Sequence, residues 1–194
     1  MKRKIYKQLL EWKNKRNGAT AVLIEGARRI GKSYIVEEFA RNEYDSYLLI
    51  DFNKADKVVW TWFDTLLEDL DTLLMNLQIH YGTRLTPGKS VVVFDEVQLC
   101  PRARAAIKYL VADGRFHYIE TGSLVSIKKN VRDIVIPSEE ESMPMFPMDF
   151  EEFLWAIGND LLMPYIRQCF EKRQPMGVHH RKAMEYFRTY MIVG

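Results

Sequence analysis

Eight consecutive residues, Gly26-Ala27-Arg28-Arg29-Ile30-Gly31-Lys32-Ser33, lie between a short apolar run and a stretch of helical periodicity, and nothing else in the chain restricts its fold as strongly. Upstream, residues 19–25 carry Val22, Leu23 and Ile24 between turn-forming residues, the pattern of a strand buried on both faces. Downstream, Ile35, Val36, Phe39 and Ala40 recur at the spacing of one helical face within residues 32–41. Strand, glycine loop and helix follow one another, and the loop satisfies G-x-x-x-x-G-K-[ST]. A triphosphate needs many N–H donors close by; glycine lets the backbone wrap tightly enough to supply them, and the helix N-terminus adds partial positive charge. Lys32 is expected to reach the β- and γ-phosphates and the Ser33 hydroxyl to coordinate Mg²⁺. Gly26, Ala27, Arg28, Arg29, Ile30, Gly31 and Tyr34 complete the expected cradle.

The remaining pattern repeats this alternation. Apolar runs at residues 47–52, 91–94 and 116–119 predict three more strands, and residues 131–136 are a candidate fifth. A single long helix is expected through Val59, Phe63, Leu66, Leu70, Leu73 and Leu77, and another over residues 102–111. Strands of nearly continuous apolar character alternating with helices predict an α/β fold with a parallel sheet covered on both faces. At the N-terminus Ile5, Leu9 and Trp12 give an amphipathic helix whose Lys2, Arg3, Lys4 and Lys7 lie off the apolar face, as a solvated surface or as a phosphate-contacting arm. Residues 149–194 read as helices, Pro175 and Gly177 separating the last two.

The third strand ends in two adjacent carboxylates, Asp95 and Glu96. This is the Walker B pattern: Asp95 would hold Mg²⁺ through its water shell, and Glu96 would polarise the water that attacks the γ-phosphate. Thr121-Gly122-Ser123, at the end of the next strand, puts hydroxyls of Thr121 and Ser123 where a γ-phosphate sensor would sit. Ligands of parallel sheets bind beyond the carboxyl ends of the strands, where all three motifs fall. Two look-alikes do not compete. Gly88-Lys89-Ser90 precedes a strand instead of opening a helix, and Asn53-Lys54-Ala55-Asp56, which spells the base-reading N-K-x-D of GTPases, stands between the phosphate loop and Asp95, an order GTPases do not use. The expected nucleotide is therefore ATP.

Charge sets limits on partners. With 28 basic and 26 acidic side chains the formal net charge is +2, so no global field draws the chain to nucleic acid or an anionic membrane, and any such binding must be local. Cys100 and Cys169 lack metal-pair spacing and read as reduced thiols. His117, His179 and His180 have no acidic or Cys partner at ligand spacing and read as packing or exposed residues. No apolar run long enough to span a bilayer occurs, and the expected location is the cytoplasm.

With these residues placed, the chain resembles the prokaryotic AAA-domain ATPases that usually carry a C-terminal DUF4143 region. The resemblance lies in residues 26–33, in Phe94-Asp95-Glu96-Val97-Gln98, in Thr121-Gly122-Ser123 and in residues 145–154. It implies a P-loop NTPase sheet of the AAA+ type with strand order 5-1-4-3-2, flanked by helices and followed by a C-terminal helical segment. It also implies that Gln98, with Thr121 or Ser123, lines the γ-phosphate. Relatives carry a Gly-Arg element after the sensor strand; this chain has Lys128-Lys129-Asn130-Val131-Arg132 there, and no residue is assigned as an arginine finger. Relatives also continue past the point matching Ile192-Val193-Gly194, which implies a further effector domain outside this chain.

The expected organisation is an N-terminal helix in residues 1–18, an ATPase core in 19–148, and a lid or linker beginning in 149–194. The expected function is Mg²⁺-dependent ATP hydrolysis coupled to a partner domain, protein or nucleic acid, with assembly into oligomers open. Two alternatives share the loop: a P-loop kinase or transferase acting on a small molecule, and a nucleic-acid-binding module switched by ATP.

Overall fold

The computed structural model describes residues 2–123 and 139–193. Its centre is a sheet of five strands, all adjacent pairs parallel: β1 (Ala21–Gly26), β2 (Ser46–Asp51), β3 (Ser90–Asp95), β4 (His117–Ser123) and β5 (Glu140–Met145). The order across the sheet is β2-β3-β4-β1-β5, which read from the other edge is the expected 5-1-4-3-2. The chain therefore has the predicted α/β fold.

Burial follows position in the sheet. β3 and β4 are buried along their whole length and β1 nearly so, whereas the edge strands β2 and β5 carry partly exposed residues. Side chains of β1 alternate between two apolar layers. Leu23 packs with helices α3 (Lys57–Thr65), α4 (Leu70–Tyr81) and α5 (Pro101–Asp113), while Val22 and Ile24 pack with α1 (Lys4–Arg16) and α2 (Lys32–Glu43). A third cluster around Phe153, Leu154, Leu162 and Ala183 joins α6 (Phe150–Ala156), α7 (Leu162–Glu171) and α8 (His179–Val193). Among the described residues no helix is long and apolar enough to cross a membrane.

Two expectations change. The single long helix over residues 59–77 is two helices, because the Asp69 side chain accepts a hydrogen bond from the Thr72 N–H and starts α4 anew. The candidate fifth strand at 131–136 lies outside the described residues, and β5 is instead the polar segment Glu140–Met145. Such a sequence, with Pro144 inside it, is tolerated because β5 is an edge strand. The two look-alike motifs are turns: residues 53–56 lead into α3, with the N–H groups of Lys54 and Ala55 bonded to the Asp51 carbonyl, and Gly88 turns into β3 with φ 72°.

The basic N-terminal run is largely a solvated face, with Lys2, Lys4 and Lys7 exposed, and Arg3 departs from it. Arg3 is buried, Lys2 pairs with Asp160 at 3.0 Å and Lys4 with Glu151 at 2.9 Å. His117 is buried between Trp12 and Tyr44, whose hydroxyl lies 2.8 Å from His117 Nδ1.

Under α5 the sheet encloses a charged cluster. Arg104 bonds Glu140 at 3.0 Å, and Glu120 is fully buried in β4 beside that pair, with no hydrogen-bond partner on either carboxylate oxygen among the described residues. Burial first, and the Glu140 carboxylate second, push the Glu120 pKa well above the ordinary carboxylate range. The folded chain then holds a proton that the unfolded chain releases, so stability falls as pH rises from the ordinary glutamate pKa toward that of folded Glu120. Glu120→Gln keeps the shape while removing the titration. Its melting temperature at pH 8 is expected to exceed wild type by about 3 °C or more, with the difference shrinking near the unfolded pKa of 4.5. Thermal melts at the two pH values check this; a pH-independent difference contradicts it.

Candidate functional site

β1 delivers the chain to Gly26, which lies opposite Ser123 of β4 on one side and Met145 of β5 on the other. A Cβ at Gly26 would stand 2.3 Å from the Met145 carbonyl oxygen and 2.8 Å from Ile30 Cδ1. Close approach of β5, and not an unusual backbone angle, is what excludes a side chain here. The left-handed positions of the loop are Arg29, φ 63°, and Gly31, φ 90°. Gly31 is the N-cap of α2, so the last turn of the loop feeds directly into the helix N-terminus. Arg29 adopts this conformation without being glycine, at a cost of about 1–2 kcal/mol. Ala27, Arg28 and Arg29 are exposed, Ile30 is partly covered, and Tyr34 projects from the first turn of α2.

Lys32 folds back beneath the loop. It is 5% exposed, and its Nζ donates to the carbonyls of Ala27 at 2.7 Å and Gly26 at 3.3 Å. Burial lowers its pKa, opposed by the carboxylates of Glu96 and Asp95. The next residue reaches across to β3: Ser33 Oγ donates to Asp95 Oδ1 at 2.8 Å. Thr121 donates to the same oxygen from β4. Burial raises the Asp95 pKa, and these two hydroxyl bonds oppose that rise.

The contacts continue from there. The backbone N–H of Glu96 donates to Thr121 Oγ1 at 3.2 Å, and the Glu96 carboxylate accepts from Gln98 Nε2. Glu96 itself is left-handed, φ 55°, at the exit from β3 into the short 3-10 turn Val97–Leu99. Lys32, Ser33, Asp95, Glu96, Gln98 and Thr121 thus stand together at the carboxyl edge of the sheet. Ser123 is buried opposite Gly26.

The donor set suits a magnesium polyphosphate. A hydroxyl and a carboxylate 2.8 Å apart are hard oxygen ligands of the kind Mg²⁺ takes, often through water. An ammonium resting on two loop carbonyls can exchange them for phosphate oxygens without crossing the site. The steric requirement at Gly26 and the positive φ at Gly31 fit a loop that keeps its backbone bare for close approach.

One residue of this region stands out in the sequence only as part of a basic run. Arg3 donates from Nη1 to the Ile30 carbonyl at 3.0 Å, inside the loop, and from Nη2 to the Phe146 carbonyl at 2.8 Å. In sequence it is one basic residue in the run Lys2-Arg3-Lys4, and no spacing rule separates it from its neighbours.

Comparison with known proteins adds a family. The family profile described as AAA domain matches residues 18–154. No curated protein sequence matches the chain. Among solved structures the chain is similar to the DnaC helicase loader, at 10% identity and a TM-score of 0.46, over 72% of this chain and 87% of that one. It is also similar to PCH-2 of C. elegans, at 12% identity and a TM-score of 0.39, over 86% of this chain and 43% of that one. Likenesses this slight carry no argument about function. The matched span holds the loop, the acidic pair and β4 and covers well over half of the chain, and on that ground the chain belongs to the AAA domain family.

Proposed function

We propose that this domain binds ATP with Mg²⁺ on residues 26–34 and hydrolyses it, its nucleotide state acting on a partner domain or macromolecule. The reading rests on one continuous set of contacts: Ser33 and Thr121 on a single oxygen of Asp95, Thr121 on the Glu96 N–H, and Gln98 on the Glu96 carboxylate. In it, the loop amides and Lys32 bind the phosphates, and Ser33 and Asp95 hold Mg²⁺, which neutralises charge on the phosphate oxygens. Thr121 fixes the two acids relative to one another. Glu96 accepts the proton of the attacking water, and Gln98 orients the Glu96 carboxylate. Ser123, buried opposite Gly26, is the proposed γ-phosphate-sensing hydroxyl. The left-handed backbone of Glu96 supports a catalytic role, since a non-glycine residue held at positive φ is costly and such strain gathers at functional sites.

Glu96 beside Asp95 favours water as the acceptor over a small-molecule substrate, as in a P-loop kinase or transferase. An ATP-switched nucleic-acid module is less favoured, since Lys2, Arg3 and Lys4 are engaged in ion pairs within the chain. We assign residues 1–18 as the N-terminal helix, 19–148 as the ATPase core, and 149–194, with its own apolar cluster, as the beginning of a lid or linker. A C-terminal region of the DUF4143 kind is the proposed effector, in a cytoplasmic protein that is open to oligomerisation. Free, buried Cys100 and Cys169 agree with a reducing compartment; burial holds the Cys100 thiol up at about 11.

Two substitutions test the site. Lys32→Ala is expected to weaken binding of a fluorescent ATP analogue by at least about tenfold, the scale of hydrogen bonds to charged groups; wild-type affinity in that variant removes the loop from the site. Glu96→Gln is expected to retain affinity while steady-state phosphate release falls by about 100-fold or more. Undiminished turnover would assign the base elsewhere.

A further inference from the structure

We infer that Arg3 is a positioning residue that couples the phosphate loop to the helical segment beginning at α6, so that nucleotide in the loop and the seating of α6 are energetically linked. The inference rests on the reading of residues 26–33 as the nucleotide site.

The Arg3 guanidinium is a single rigid plane that meets three separate parts of the chain. Nη1 holds the Ile30 carbonyl of the loop at 3.0 Å, Nη2 holds the Phe146 carbonyl just after β5 at 2.8 Å, and Nε lies 3.2 Å from Glu152 Oε1 on α6. Arg3 is 6% exposed and Glu152 5%, so neither charge is compensated by bulk water. A buried pair of this kind keeps its geometry, because losing one partner strands the other.

Glu152 is no free carboxylate at the end of a flexible arm. Its Oε2 accepts from the Asp149 N–H at 3.1 Å while its own N–H donates to Asp149 Oδ1 at 2.8 Å, a reciprocal cap that fixes the start of α6. Its Oε1 also accepts from the Lys4 N–H at 2.7 Å. Glu152 therefore reports where α6 is, and Arg3 carries that position to the loop.

At the loop end the contact falls where a phosphate site is sensitive. The Ile30 carbonyl and the Gly31 N–H belong to one planar trans peptide and point in opposite directions. Holding the carbonyl fixes the direction of the N–H, one of the donors assigned to the phosphates. Arg3 Nη1 is also the atom nearest a hypothetical Gly31 Cβ, at 3.8 Å. Lysine, a single point charge, cannot brace two carbonyls and a carboxylate from one rigid plane. If α6 leaves its seat, Arg3 loses Glu152 and the Ile30–Gly31 peptide loses its brace; by linkage, nucleotide that fixes this peptide holds α6 in place by the same factor.

Hydrogen exchange of the full chain, read by mass spectrometry with and without Mg²⁺ and a non-hydrolysable ATP analogue, tests the coupling. In wild type, exchange over residues 150–156 is expected to slow by about fivefold or more on binding. In Arg3→Met the affinity for the analogue is expected to fall by a similar factor, and at saturating analogue residues 150–156 no longer respond while α2 still does. Glu152→Gln, a smaller change, is expected to lose the same response and serves if Arg3→Met does not fold. A purely structural staple predicts lower stability with the response intact. Protection of residues 150–156 that persists in either folded variant overturns the coupling, as does bound nucleotide without protection in wild type. Failure of wild type to bind the analogue at all overturns the nucleotide site itself, and the coupling with it.

Discussion

The carboxylate of Asp95 accepts hydrogen bonds from Ser33 and from Thr121 on the same oxygen, and those two contacts join the helix after β1, the end of β3 and the end of β4 into one unit. The parallel order of the sheet makes the meeting possible. β4 lies between β3 and β1, so the carboxyl ends of all three strands fall side by side on one edge. An antiparallel neighbour would carry Thr121 to the opposite edge. The carboxylate is buried, which by itself disfavours its charge, and the two hydroxyls offset part of that cost. A divalent cation would offset more.

Around this unit the fold holds other charged groups away from water in pairs or clusters. Arg3 with Glu152 ties the loop to the C-terminal helices, and Arg104 with Glu140 and Glu120 ties α5 to the far side of β4 and β5. Replacing such groups by apolar residues is often neutral or stabilising, so their presence is weak evidence for stability. The Arg3 pair touches the loop directly. Glu120 lies one residue before Thr121, on the opposite face of the strand, and its cluster joins the β4 segment that carries the Asp95 partner to the edge strand β5.

How much of this was legible in the sequence depended on how local each cause is. Val22 to Ile24 and Val91 to Phe94 are buried on both faces, so continuous apolar runs marked the central strands. The loop and the acidic pair were legible because each is set by a few adjacent residue types. β5 was not: an edge strand buries only part of its surface, and Glu140, Glu141 and Pro144 hide it from any hydrophobic pattern. The break between α3 and α4 was missed because Leu66, Leu67 and Leu70 continue the apolar period through it, while the Asp69 cap that decides it is a single polar residue. Gly26 is marked in the sequence by the loop pattern alone; the steric reason for a glycine there, the Met145 carbonyl at 2.3 Å from any Cβ, comes from a strand more than a hundred residues away. Arg3 was illegible for the same reason: its partners stand 27 and 143 residues along the chain.

The most direct test of the nucleotide site is a crystal structure of the chain with Mg²⁺ and a non-hydrolysable ATP analogue. The β- and γ-phosphates are expected on the amides of residues 26–33, with Lys32 Nζ transferred from the Ala27 carbonyl to a phosphate oxygen at about 2.8 Å, and Mg²⁺ bound directly by Ser33 Oγ with Asp95 beside it. Nucleotide bound elsewhere, or bound here with Lys32 still on the Ala27 carbonyl and no metal at Ser33, would contradict this assignment.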